Sequence, residues 1–154
     1  MTNILCFIFQ GGTHLSWTQT LPKGTVSHTS QHCTTMTAFQ NSLVGRGATA
    51  ITIIAGSTSY SCTDATIAKS ITDAFATCTT NTCSRQVFSC QGKNFRVGPC
   101  GAGGEISVSN GICSCSGSLT IRPCINNDNW GGAGPSTCSQ SSQTLSIIVK
   151  VGGI

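Results

Sequence analysis

Eleven cysteines carry most of this chain's capacity for chemistry: Cys6, Cys33, Cys62, Cys78, Cys83, Cys90, Cys100, Cys113, Cys115, Cys124 and Cys138. Nine of them fall between positions 62 and 138. Thiols at this density serve either as disulfides in an oxidising compartment or as thiolate ligands to a metal. Cys78 and Cys83 have four residues between them, a spacing found in structural zinc pairs. Cys113 and Cys115 have only one, and no Cys-x-x-Cys occurs. The expectation is therefore a disulfide framework drawn from Cys33, Cys62, Cys78, Cys83, Cys90, Cys100, Cys113, Cys115, Cys124 and Cys138, with no metal and no cofactor. Eleven is odd, so one thiol is left over or bridges to another chain. Cys6, in an apolar run far from the cluster, is the candidate, and a buried free thiol is the simpler of its two readings. Pairing is not deducible from spacing, but Cys113 and Cys115 on one strand would face opposite ways and need different partners.

The remaining reactive groups are sparse. His14, His28 and His32 are the only histidines. His28 and His32 lie four apart with Cys33 beside them, yet the glutamate of a zinc-protease helix is missing, and nothing marks a third member for a Cys-His nucleophile. Of four carboxylates, Asp64 and Asp73 have ordinary helix roles. Glu105 and Asp128 are left as the one conceivable acid/base pair, a weak glycosidase-like signal. Eight basic residues are spread evenly, and aromatics make up only 6% of the chain, so no basic stripe for nucleic acid is present. No enzymatic role is expected. The most suggestive loop holds Asn127, Asp128, Asn129 and Trp130, where an indole beside amide and carboxylate groups matches what carbohydrate stacking requires. A buried tryptophan anchoring the loop is the competing reading.

These residues need elements to hold them. Ile67, Ile71, Ala74, Phe75 and Cys78 recur at helical spacing and predict an amphipathic helix over about 63–78, with Ser61 and Asp64 as a capping box. Elsewhere the patterns are strand-like: residues 4–9, 48–55, 85–90, 94–97, 105–109, 118–122 and 144–151. Asn110-Gly111 predicts a tight type I′ hairpin. The fold class expected is α+β: a mostly antiparallel sheet with one amphipathic helix, stapled by disulfides. Residues 1–47 read as an N-terminal strand followed by a polar, Thr-rich arm, and residues 48–154 as the disulfide-rich domain.

Composition points to a compartment and a habit. The 154 residues include 22 Thr, 20 Ser and 18 Gly, while only 8% are charged against about a quarter in ordinary domains. Hydroxyls and amides must therefore solvate the surface. No apolar run is long enough for a transmembrane helix, and residues 4–9 are too short and uncharged for a secretory leader, so an extracellular or cell-surface location rests on the cysteines. In the last strand Leu145, Ile147, Val149 and Val151 share one face, with Ile148 on the other. Both chain ends are thus apolar strands with little edge charge, which templates pairing with another chain. The expected function is a secreted structural subunit, a homo-oligomer or homopolymer that assembles through its terminal strands, Leu145, Ile147, Ile148, Val149 and Val151 included. A small carbohydrate-binding module using Trp130 is the alternative.

Overall fold

The computed structural model describes residues 5–9, 12–21, 30–109, 111–114, 118–125, 130–133 and 143–152. It is mixed α+β and mostly sheet, as its patterns predict, with two antiparallel five-stranded sheets and two helices among the described residues. The first sheet contains β1 (Leu5–Phe9), β2 (Gly12–Leu21), β3 (Ala48–Ala55), β4 (Thr58–Cys62) and β10 (Gln143–Gly152), in the order β1-β2-β10-β3-β4. The second contains β5 (Gln86–Cys90), β6 (Lys93–Cys100), β7 (Gly103–Val108), β8 (Leu119–Ile121) and β9 (Gly131–Ala133), in that order.

Strand β10 explains the first sheet. Its alternation places Leu145, Ile147, Val149 and Val151 in the core. Ile147 lies opposite Trp17 on one side and Ile53 on the other, and Val149 lies between Leu15 and Ile51. A one-residue slip would turn this whole apolar row to solvent, so the register is strongly specified. Ile148 takes the outer face, between Ser16 and Thr52. The strand proposed from sequence as an assembly element is thus hydrogen-bonded on both sides within its own sheet and presents no free edge. Apolar alternation reports a buried face; it does not report which strands lie alongside.

Two-residue connections at positive φ build the hairpins. Gln91 (φ 52°) and Gly92 (φ 79°) join Cys90 to its partner Lys93 in the type I′ manner. The hairpin predicted at Asn110-Gly111 does not form: Ile112 and Cys113 lie in a turn, and β7 pairs instead with β6 and β8. Asn110 itself lies outside the described residues.

The predicted helix is α2 (Ala65–Thr77). Its cap is Asp64 alone, whose Oδ1 accepts the Ile67 N–H at 3.1 Å. Ser61, expected in the capping box, sits on β4 with its hydroxyl 2.8 Å from that of Thr52. Lys69 and Asp73 form the expected i,i+4 pair at 2.6 Å. Ile71, Ala74 and Phe75 are buried where α2 packs on β3 and on β5 and β6, between the sheets.

A second helix, α1 (Ser30–Leu43), comes from the segment that reads as a polar arm. Met36, Phe39, Gln40 and Leu43 form its buried stripe at positions i, i+3, i+4 and i+7. With so few apolar residues among threonines, the stripe is too thin to stand out in sequence. Gln40 completes it in an unusual way: its Nε2 donates to the carbonyls of Phe75 and Cys78, both at 2.8 Å, and so caps the last turn of α2. Gly104 lies against the same spot, where a β-carbon would collide with the Cys78 oxygen. Together, β2 in the sheet and α1 on α2 place much of residues 1–47 in the same core as the rest of the chain.

Candidate functional site

Eight of the candidate cysteines pair at bonding distance: Cys33 with Cys124, Cys62 with Cys90, Cys78 with Cys83, and Cys100 with Cys113. Each does a different job. Cys33–Cys124 ties α1 to the segment after β8 across a separation of 91 residues. Cys62–Cys90 joins the ends of β4 and β5, one strand from each sheet. Cys78–Cys83, the pair with zinc-like spacing, closes the turn after α2. Cys115 and Cys138 lie outside the described residues. Cys6 is on β1, opposite Leu15 in the register.

Strand edges are the second feature. β1 and β4 border the first sheet, β5 and β9 the second, and none has a further strand partner among the described residues. The sequences of β1, β4 and β5 are Leu-Cys-Phe-Ile-Phe, Thr-Ser-Tyr-Ser-Cys and Gln-Val-Phe-Ser-Cys, with no charge among them. Val87 on β5 is 57% exposed. Lys93 stands 5.4 Å over the ring of Tyr60 on β4, a cation–π contact, and Gln91 exchanges hydrogen bonds with Thr63 at 2.7 and 3.0 Å. These contacts hold the ends of β4 and β5 together around the disulfide. On the outer face of the first sheet hydroxyls pair across strands: Thr18 with Ser146 at 3.0 Å, Thr20 with Thr144 at 3.3 Å, and Thr52 with Ser61. The hydroxyl-rich skin expected from composition is realised here as cross-strand ladders.

Trp130 presents no exposed face in this structure. Its side chain is fully buried and stacks on His32 of α1, with ring centroids 4.6 Å apart. Asn127, Asp128 and Asn129 lie outside the described residues, as does His28. The burial has a local cause: β9 follows Trp130 directly and pairs with β8, which draws the indole into the core. An open cleft of about 540 Å³ lies beside the Cys33–Cys124 bridge, bordered by Thr34, Thr37 and Asn41 of α1 and by Ala102. Its described lining has no ionisable group.

The group that sequence alone undervalued is Glu105. It is fully buried on β7, where its Oε2 accepts the Cys113 N–H at 2.8 Å. Burial pushes its pKa up to about 7 against the opposing pull of that hydrogen bond and of the Arg122 and Arg85 charges. Arg122 is itself buried, which lowers its pKa, and its Nη1 donates to the Ser114 carbonyl at 3.1 Å. A lone glutamate in a strand pattern carries no signal for this, since the covering segment arrives from elsewhere in the chain. Asp128, its conceivable catalytic partner, is not among the described residues. Comparison with family models, with curated proteins and with solved structures found no match.

Proposed function

We propose that this chain is a structural subunit, secreted or displayed at the cell surface, that self-assembles into a filament or layer through its sheet edges. The observation that supports the reading best is the pair of uncharged edges of the first sheet, β1 on one side and β4 on the other. Pairing β1 of one subunit with β4 of the next is a heterologous contact, which propagates without closing. Natural monomers guard such edges with lysine, proline or bulges. Here the disulfides keep each subunit rigid while backbone groups at the edge supply the contacts. The four bridges among the described residues support an oxidising, extracellular setting in this reading. No enzymatic activity is proposed. The mechanism differs from donation of β10, whose removal would take out the middle of the sheet.

Electron microscopy and light scattering of the purified protein at neutral pH test the proposal. Ordered polymer is expected from the native chain. Ser59→Lys, an exposed substitution on β4, is expected to give a monodisperse species with unchanged thermal stability. A native protein that stays monodisperse at all concentrations, or a Ser59→Lys variant that polymerises as before, overturns edge pairing at β4.

A further inference from the structure

The side chains of the first sheet that point away from the core form a field of hydroxyls with two isoleucines at its middle. Ile148 of β10 stands between Ser16 and Thr52, and in the next row Ile54 of β3 stands between Ser146 and Ser59. Both isoleucines are half-buried, while Thr18, Thr20, Ser59 and Thr144 around them are exposed. The hydroxyls bond to one another within the sheet: Thr18 to Ser146 at 3.0 Å, Thr20 to Thr144 at 3.3 Å and Thr52 to Ser61 at 2.8 Å, one member of each pair donating to the other. A hydroxyl with a partner in its own sheet leaves water at a much smaller cost than one without. The face is therefore polar in composition yet cheap to cover. An apolar centre inside a polar rim is also the anatomy of a protein interface.

We propose that the outer face of the first sheet is covered by the same face of a second copy of this chain, so that subunits, or the polymers that edge pairing builds, stack back to back as a double layer. The identity of the partner rests on the self-assembly reading; the contact itself does not need the sheet edges. Lys150 is the only lysine, arginine, aspartate or glutamate in the five strands, and it lies at the opposite end of β10 from Thr144. A two-fold axis crossing the strands lays the Lys150 end of one copy over the hydroxyl end of the other and keeps the two ammonium groups apart. Strand spacing and rise give β2, β10, β3 and β4 roughly 500 Å² of plane per copy, about 1,000 Å² for the pair before side-chain relief adds to it, which reaches the size a specific interface needs. Two sheets packed face to face with nearly aligned strands are a standard arrangement for such surfaces. The isologous contact closes on two copies, whereas edge pairing propagates, so one sets the thickness of the polymer and the other its length.

Mass-per-length electron microscopy and sedimentation velocity of native protein and Ile148→Glu test it. Ser59 lies on the rim of this face as well as on an edge, so the charge is placed at Ile148, mid-sheet, where edge pairing does not reach. Native polymers are expected to be two subunits thick, and Ile148→Glu is expected to halve their mass per length while leaving polymerisation intact. Polymers of native protein one subunit thick keep edge pairing and overturn the face contact. A native protein that forms no polymer but is a dimer keeps the face contact and overturns edge pairing; Ile148→Glu should then weaken dimerisation by more than about 100-fold, because the two-fold brings the added carboxylates together in one desolvated patch. A native protein that is monomeric at all concentrations overturns the proposal, whatever else it binds. Thickness or dimerisation unchanged in Ile148→Glu does the same. Thr18→Lys, at an exposed position of the face, gives the same reading if Ile148→Glu fails to fold.

Discussion

Cys62 ends β4 and Cys90 ends β5, and the bond between them joins an edge strand of one sheet to an edge strand of the other. It turns two sheets that share a core into one covalent frame.

The bridges should differ in their worth. On the loop-entropy model, removing Cys33–Cys124, Cys62–Cys90 and Cys78–Cys83 should cost about 4.6, 3.6 and 2 kcal/mol respectively, following separations of 91, 28 and 5 residues. Chemical denaturation of the three paired Cys→Ala variants checks the order. Alkylation of the unreduced native protein should label at most three thiols, since eight of eleven cysteines are bridged; labelling of more would break the scheme.

Stability should fall as pH rises. The folded state holds the Glu105 proton up to about pH 7, while the unfolded chain releases it near 4.5. The folded state thus binds more protons over this window, and the favourable contribution is full below 4.5 and lost as pH rises through 7. The change is on the order of 3 kcal/mol. Melting temperatures of native protein and Glu105→Gln across pH 4 to 8 should diverge, the variant gaining relative stability toward pH 8.

Gln40 and Gly104 meet at the end of α2. Gln40→Leu strips two carbonyls of their donor and should cost about 1–3 kcal/mol. Gly104→Ala forces a β-carbon onto the Cys78 oxygen and should destabilise by about 1–3 kcal/mol. Urea titrations of both variants report these losses directly.

Trp130→Ala separates a buried anchor from a ligand plate. Loss of a fully buried indole should lower stability by about 3–5 kcal/mol. A variant that retains native stability and loses only glycan retention would support the carbohydrate reading.

Much of this was legible along the chain. The period of Ile67, Ile71, Ala74 and Phe75 identified α2 to within two residues at its start, because one strongly apolar stripe can satisfy only one geometry. The alternation of Leu145, Ile147, Val149 and Val151 identified β10 for the same reason. Helix α1 escaped notice because only three apolar residues, Met36, Phe39 and Leu43, mark its stripe among threonines, and the fourth buried position, Gln40, is set by contacts with α2 and not by apolarity. The hairpin was misplaced to Asn110-Gly111 because turn chemistry states what a turn tolerates, while the Cys100–Cys113 bridge and the Glu105 carboxylate dictate where residues 111–114 go.

Composition and local pattern thus determined the sparse charge, the hydroxyl-rich surface, the dominance of strands, the main helix and the reliance on sulfur. Each of these depends on residues near one another in sequence or on totals. Which cysteines pair, that β10 lies mid-sheet while β1 and β4 border it, that Trp130 is interior, and that Glu105 is buried with the Cys113 N–H on its carboxylate were settled only by tertiary packing. The reason is that periodicity tells which face of an element is buried, whereas what covers that face comes from outside the element's own pattern, eight residues on for Glu105 and 91 residues on for the Cys33 bridge.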